Sequence, residues 1–140
     1  MSVTRTATRT EDEAAIKAVL NSTYQAWEAN DPDAFVTHYT EDATAILPGS
    51  LRAGRNVIRE SMAKGFEGPL KGSSTYNKQL GIRFLGDSAA IVTSESGILF
   101  PGESEVPDTR KVNATWVLEK NDGSWRIAAY HNSPVLAPMH

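Results

Sequence analysis

Cysteine is missing altogether. That excludes disulfide staples, thiolate nucleophiles and zinc–thiolate sites together, so stability and any chemistry must come from other groups. A strong charge of one sign is also missing: the net charge is only -3, and lysines and arginines are scattered rather than gathered into a stripe that could neutralise a phosphate backbone. No nucleic-acid partner is expected. No apolar run approaches the length that crosses a bilayer, and Met1 to Arg9 is a polar Ser/Thr/Arg stretch without the apolar centre of a secretory signal. The expectation is a cytoplasmic protein with no membrane partner. The G-x-S-x-G, G-x-G-x-x-G and P-loop spacings are absent, which argues against a serine hydrolase, a dinucleotide site and a nucleotidase. His38 and Asp42 stand four apart where a short helix should end, and with His140 they make no metal set of the H-E-x-x-H kind. Neither a metal nor a cofactor is expected.

What is present is ordinary globular material: 140 residues, 40% hydrophobic and 22% charged, enough for one domain with a real core. We place that domain at residues 10–136, between a flexible N-terminal tail (1–9) and a C-terminal tail (137–140). Thr10 and Glu13 have the spacing of a capping box and predict a helix start. Ile16, Val19, Leu20, Thr23 and Trp27 then recur at steps of three and four, on the face opposite Lys17, Asn21, Gln25 and Glu28. Asp31 and Pro32 suit the cap and first position of a second, short helix carrying Ala34, Phe35, His38 and Tyr39. Ala43–Leu47 and Leu51–Ala53 read as a small hairpin around Pro48-Gly49-Ser50, and Ile58, Met62 and Phe66 mark a third helix that ends at Gly68-Pro69.

The second half reads as sheet. Tyr76–Leu85, Ala89–Phe100, Lys111–Glu119 and Trp125–Asn132 are strand-like, and short turn-rich connectors predict antiparallel neighbours. Tyr76, Leu80, Ile82 and Phe84 alternate with Asn77, Gly81 and Arg83, as do Val112, Ala114, Trp116 and Leu118 with Asn113 and Thr115. Pro101–Asp108 reads as a surface loop. Helices first and antiparallel strands afterwards is the α+β pattern, and a sheet curling around helices can leave a pocket.

A family likeness rests on an ordered set: Tyr24 and Trp27, Asn30-Asp31-Pro32-Asp33-Ala34, Tyr39-Thr40-Glu41-Asp42-Ala43-Thr44, Pro48-Gly49 with Gly54-Arg55, and Trp125-Arg126-Ile127 followed by His131-Asn132-Ser133-Pro134. From about Glu11 to Val135 this resembles the SnoaL-like branch of the nuclear-transport-factor-2-like superfamily, and the last group is similar to the SgcJ/EcaC subfamily associated with enediyne antibiotic biosynthesis. The resemblance implies a cone of about three helices over a strongly bent antiparallel sheet, a homodimer, and a pocket that takes a hydrophobic, polyketide-like small molecule. Members include cyclases, isomerases, dehydratases and proteins without catalysis, so fold alone does not settle function. In the ketosteroid isomerase pattern an aspartate base precedes the proline of the first hairpin; Leu47 stands there in this chain and cannot take a proton.

Trp27, Tyr39, Met62, Phe66, Tyr76 and Trp116 are candidates to line the pocket, as is Tyr24, because aromatic and thioether side chains offer apolar area and, in Tyr and Trp, a polar handle. The same spacing serves a plain core. His131 is the candidate proton carrier, with Asn132 or Tyr24 orienting a substrate oxygen; the alternatives are a structural histidine and a turn asparagine. Glu95, in an otherwise uncharged strand, is a candidate general base if it points inward and a solvated edge charge if it points outward. Arg55 and Arg59 could meet an anionic group or simply be solvated. Three roles follow: a cofactor-independent cyclase, isomerase or dehydratase or an accessory factor to one, a non-catalytic carrier, and a dimerisation module. Val92, Ile98 and Val117 are expected on an outer sheet face that pairs two copies.

Overall fold

A computed structural model describes residues 2–136. The expected C-terminal tail and His140 lie outside the described residues. Three α-helices come first, α1 (Ser2–Glu28), α2 (Pro32–Phe35) and α3 (Arg55–Glu67), with the hairpin β1 (Tyr39–Leu47) and β2 (Ser50–Ala53) between the second and third. Four longer strands follow: β3 (Ser74–Phe84), β4 (Ala89–Leu99), β5 (Val112–Asn121) and β6 (Ser124–Pro134). They join in one strongly bent six-stranded sheet of order β2-β1-β6-β5-β4-β3. Sequence neighbours pair antiparallel, as the short connectors require, while β1 runs parallel to β6 and so welds the first hairpin to the end of the chain. The architecture is the expected α+β cone, with that one parallel pair as its departure from an antiparallel sheet.

α1 begins at Ser2, upstream of the Thr10–Glu13 box. The Arg9 guanidinium lies 4.6 Å from the centre of the Phe84 ring, a cation–π contact between α1 and β3. The stripe Ile16, Val19, Leu20 and Thr23 is buried while Lys17, Asn21, Gln25 and Glu28 are exposed, as the periodicity predicts. Asp31 caps α2 by accepting from the Ala34 N–H at 3.1 Å, with Pro32 at the first position where its missing N–H costs nothing. That helix ends at Phe35, so His38 lies in the turn beyond it and Tyr39 opens β1. α3 buries Ile58, Met62 and Phe66, its spacing-of-four stripe, against the sheet.

The inner sheet face packs on the helices. Ala90, Val92, Ser94 and Ser96 of β4 face Leu118, Trp116, Ala114 and Val112 of β5 in register on that face. Val92 is buried there and Ile98 faces the interior, which corrects their expected place on an outer face; Val117 does lie outside, between inward Trp116 and Leu118. Besides the irregular pairing of β1 with β6 between Tyr39 and Thr44, strict alternation breaks twice in the longer strands. Register shifts fall between Gln79 and Gly81 in β3 and between Val117 and Leu118 opposite Ala128 in β6. Each inserts an extra residue and exchanges the two faces beyond it.

Candidate functional site

Between the helices and the concave sheet face lies a cavity of about 150 Å³. One cross-strand row forms much of its floor: Arg52 of β2 pairs with Ala45 of β1, Ala45 with Tyr130 of β6, and Tyr130 with Trp116 of β5. The small Ala45 leaves the space that Arg52 and Tyr130 border. Tyr24 and Trp27 close one side from α1, Phe35 from α2, and Ile58 and Met62 from α3. A more polar hollow of about 210 Å³ adjoins it between α1 and β3–β4, sharing Tyr24 and Asn77.

Of the residues singled out in the sequence, Tyr24, Trp27, Tyr39, Met62, Trp116 and Asn132 meet in this cavity. Four do not. Phe66 is buried in the core, its ring edge-on to Trp27 and Phe35, without reaching the cavity wall. Tyr76 and Glu95 sit on the outer sheet face, where the Tyr76 hydroxyl donates to Glu95 Oε1 at 3.2 Å and the Lys111 ammonium is 3.9 Å from the same oxygen. The outward direction of Tyr76 follows from the β3 bulge, since beyond Leu80 the inward residues are Ile82 and Phe84 and before it Thr75 and Asn77, while Glu95 points out because its β4 neighbours Ser94 and Ser96 point in. Glu95 is therefore no base for cavity chemistry. His131 is exposed on the outer face opposite Thr115 and Ile46, which removes it as the proton carrier of this cavity. Trp125 and Ile127 point inward; the bulge at Ala128 turns Tyr130 and Asn132 inward and His131 out.

Sequence reasoning missed Tyr130, Arg52, Asn77 and Ser96, all of which line the cavity. An alternation that allowed for a bulge in the last strand could have found Tyr130. Arg52 was legible as the middle of a short return strand, paired with a small inward alanine.

Apart from the paired Arg110, the polar groups of the site are neutral or lack an ion-pair partner among the described residues. Burial raises the hydroxyl pKa of Tyr24, Tyr39 and Tyr130 above the ordinary tyrosine value, and the neighbouring tyrosines push Tyr24 and Tyr39 the same way, so all three stay protonated at neutral pH. Asn132 Nδ2 donates to the Tyr130 hydroxyl at 2.9 Å. The Trp27 indole N–H is already committed to Ser73 Oγ at 2.9 Å, so this ring offers the cavity only its apolar surface. By contrast, Asn132 Oδ1 is buried without a hydrogen-bond partner, and the buried Trp116 Nε1 adjoins the Tyr24 hydroxyl without forming a hydrogen bond of normal geometry. Trp116 packs on Tyr130 with ring centres 4.5 Å apart and edge-on to Tyr24. Among the described lining residues there is no Asp, Glu, His or Lys; the charges are Arg52 and Arg110, and Arg110 is held by Glu103 Oε2 at 2.6 Å.

The cone recurs widely among solved structures. A domain with a cystatin-like fold from Nostoc punctiforme superposes with a TM-score of 0.83 at 26% identity, over 91% of this chain and 80% of that one. A nuclear-transport-factor-2-like protein from Novosphingobium aromaticivorans reaches 0.83 at 14% identity, over 97% and 90% of the two chains. A ketosteroid isomerase-like protein from Erwinia carotovora atroseptica reaches 0.70 at 21% identity, over 89% and 96%. No curated protein matches the chain. The SnoaL-like domain family matches it across residues 16–138. With that match covering most of the sequence, and the same cone in its structural neighbours, the chain belongs to the SnoaL-like domain family.

Proposed function

We propose that this chain binds a hydrophobic, polyketide-like small molecule in the cavity of its cone, and that it holds or hands on that molecule rather than deprotonating it. One observation carries the reading: an apolar, aromatic cavity contains a buried acceptor, Asn132 Oδ1, with no protein partner, and a buried donor, Trp116 Nε1, that makes no well-formed hydrogen bond although the Tyr24 hydroxyl adjoins it. Leaving a buried polar atom unpaired costs on the order of 1–3 kcal/mol, and a ligand hydroxyl or carbonyl would supply the missing bonds. A purely structural dimerisation module has no use for such a space. The likeness of the closing segment, Trp125 to Pro134, to the enediyne-associated subfamily supports an antibiotic-biosynthetic setting for the ligand.

A second reading keeps catalysis but assigns it to donors. Neutral Tyr24, Tyr39 and Tyr130 could stabilise a developing oxyanion on a substrate that brings its own acidic proton, a cyclase- or isomerase-like role. A base is what the cavity lacks, since Leu47 lines the wall where the isomerase pattern has aspartate.

Native mass spectrometry of gently purified protein, with tryptophan fluorescence during titration of polyenes and aromatic polyketides, tests the binding reading. Bound mass, or a fluorescence change that Trp116→Phe abolishes, is the expected result. An unchanged spectrum across the panel with no extractable ligand removes it. Isomerisation or cyclisation lost in Tyr130→Phe, with binding retained, would favour the second reading.

A further inference from the structure

The arginines near the helices and the first hairpin are satisfied differently. Arg59 pairs with Asp33, and Arg55 donates to the Tyr39 carbonyl oxygen at 3.3 Å. Arg110, at the cavity wall, is neutralised by Glu103. Arg52 alone among these points into the cavity without a carboxylate: it forms no ion pair among the described residues, and its Nη1 has the Met62 sulfur, a weak acceptor, at 3.4 Å. Its half-buried setting penalises the charge. A guanidinium has five N–H donors in a planar fork matched to a carboxylate, so a single thioether contact leaves most of that capacity unused inside the wall.

We infer that the ligand of this cavity is an aromatic or other apolar carboxylic acid, seated with its carboxylate on Arg52 and its hydrocarbon body among Phe35, Ile58 and Met62. The inference rests on the proposed binding function and adds the ligand's charge class. Position favours it as well as charge. Arg52 and Trp116 stand three strand spacings apart along the inner row, roughly 14 Å at the backbone, so a one-ring acid seated on Arg52 occupies the β1–β2 end of the cavity and does not reach Trp116. Ala45 leaves the floor open beside Arg52. A cavity of about 150 Å³ accommodates a single six-membered ring, as an engineered cavity of that size binding benzene illustrates. One ring with one carboxylate fits both the volume and the single unpaired cation. A dianionic or polyphosphate ligand would need cations that the described wall does not offer, because Arg110 is already occupied.

The test uses a charge-matched pair of probes on the purified full chain at neutral pH: cinnamate, which is ionised there, and methyl cinnamate, which has nearly its shape but no charge. Calorimetric titration should show the acid binding at least tenfold more tightly than the ester. Arg52→Met keeps an unbranched apolar stem beside Met62 and should remove that preference, weakening the acid at least tenfold relative to the ester. Arg52→Lys keeps the charge without the fork and should fall between. An ester bound as tightly as the acid by the unmodified protein overturns the inference, and that comparison needs no variant to fold. Binding of neutral aromatic polyketides without any binding of the acid also overturns it while leaving the cavity function standing. Failure of every probe, charged and neutral, overturns both.

Discussion

Tyrosines dominate the site's behaviour at the residue scale. Burial raises the pKa of Tyr24, Tyr39 and Tyr130, so the fold favours their neutral form over the phenolate. In the unfolded chain they ionise near pH 10, the ordinary tyrosine value. A raised folded pKa contributes stability that is complete below about pH 10 and is lost as pH climbs above it, because the unfolded state then releases protons that the folded state retains. Each such tyrosine adds a slope of about 1.4 kcal/mol per pH unit in that window. Denaturant midpoints measured through the alkaline range should therefore fall, with phenolate absorbance rising together with loss of folded signal. Replacing the three by phenylalanine should flatten that limb, and an unchanged limb would clear them of responsibility. His131, exposed on the opposite face, should behave as a bystander to the cavity. His131→Gln is expected to change stability by no more than about 0.5 kcal/mol and to leave ligand titrations unaltered; a lost fluorescence response would show that the ring matters to the cavity.

Among the elements, the loop after β4 does more than connect. Pro101–Asp108 reads as surface loop in the sequence, yet Val106 is buried and covers Gly97 of β4 from the outer face. A Cβ at Gly97 would lie 2.5 Å from Val106 Cγ1, closer than real contacts allow. Gly97→Ala should destabilise by about 1–3 kcal/mol, the range of overpacked cores, and Val106→Ala in the same chain should recover part of the loss. Strict additivity of the two in thermal denaturation would mean that they do not touch. The helices and strands themselves were legible: the stripe Ile58–Met62–Phe66, the Asp31-Pro32 cap and the short connectors between the last strands all appear where the local chemistry puts them. Facing was not legible, because alternation carries a direction only until a bulge resets it. Tyr76 shares parity with Ile82 in the sequence but lies on the other face beyond the extra residue at Leu80, and His131 is turned out by the extra residue at Ala128 in the same way. Half of the site error is therefore two bulges, which no propensity scale marks.

For the whole molecule, the sheet's outer face is the unresolved surface. Its helix-side face is fully employed in core and cavity, yet Leu51 is 68% exposed and its cross-strand neighbour Ile46 is 42% exposed. In the same sheet Ala129 and Val117 are register partners on that face. Exposed apolar side chains gathered on one face mark an association surface, and self-association of a small domain is most often a twofold dimer in which the same patch meets itself. The residues first expected there, Val92 and Ile98, are spent on the interior, so the patch is narrower and centred on the β1–β2 hairpin rather than on β4. We expect light scattering to return twice the 15.2 kDa chain mass. Leu51→Glu places a charge on that patch without touching the cavity wall, and should drive the protein to monomer. Because Leu51 points away from Arg52, its neighbour on the opposite face, the monomeric variant should still bind the ligand as a simple cavity protein would. A wild-type monomer at high micromolar concentration, or a Leu51→Glu protein that remains dimeric, would place the dimer elsewhere or abolish it. Loss of ligand binding on dissociation would instead mean that the partner's edge helps to close the mouth of the cone.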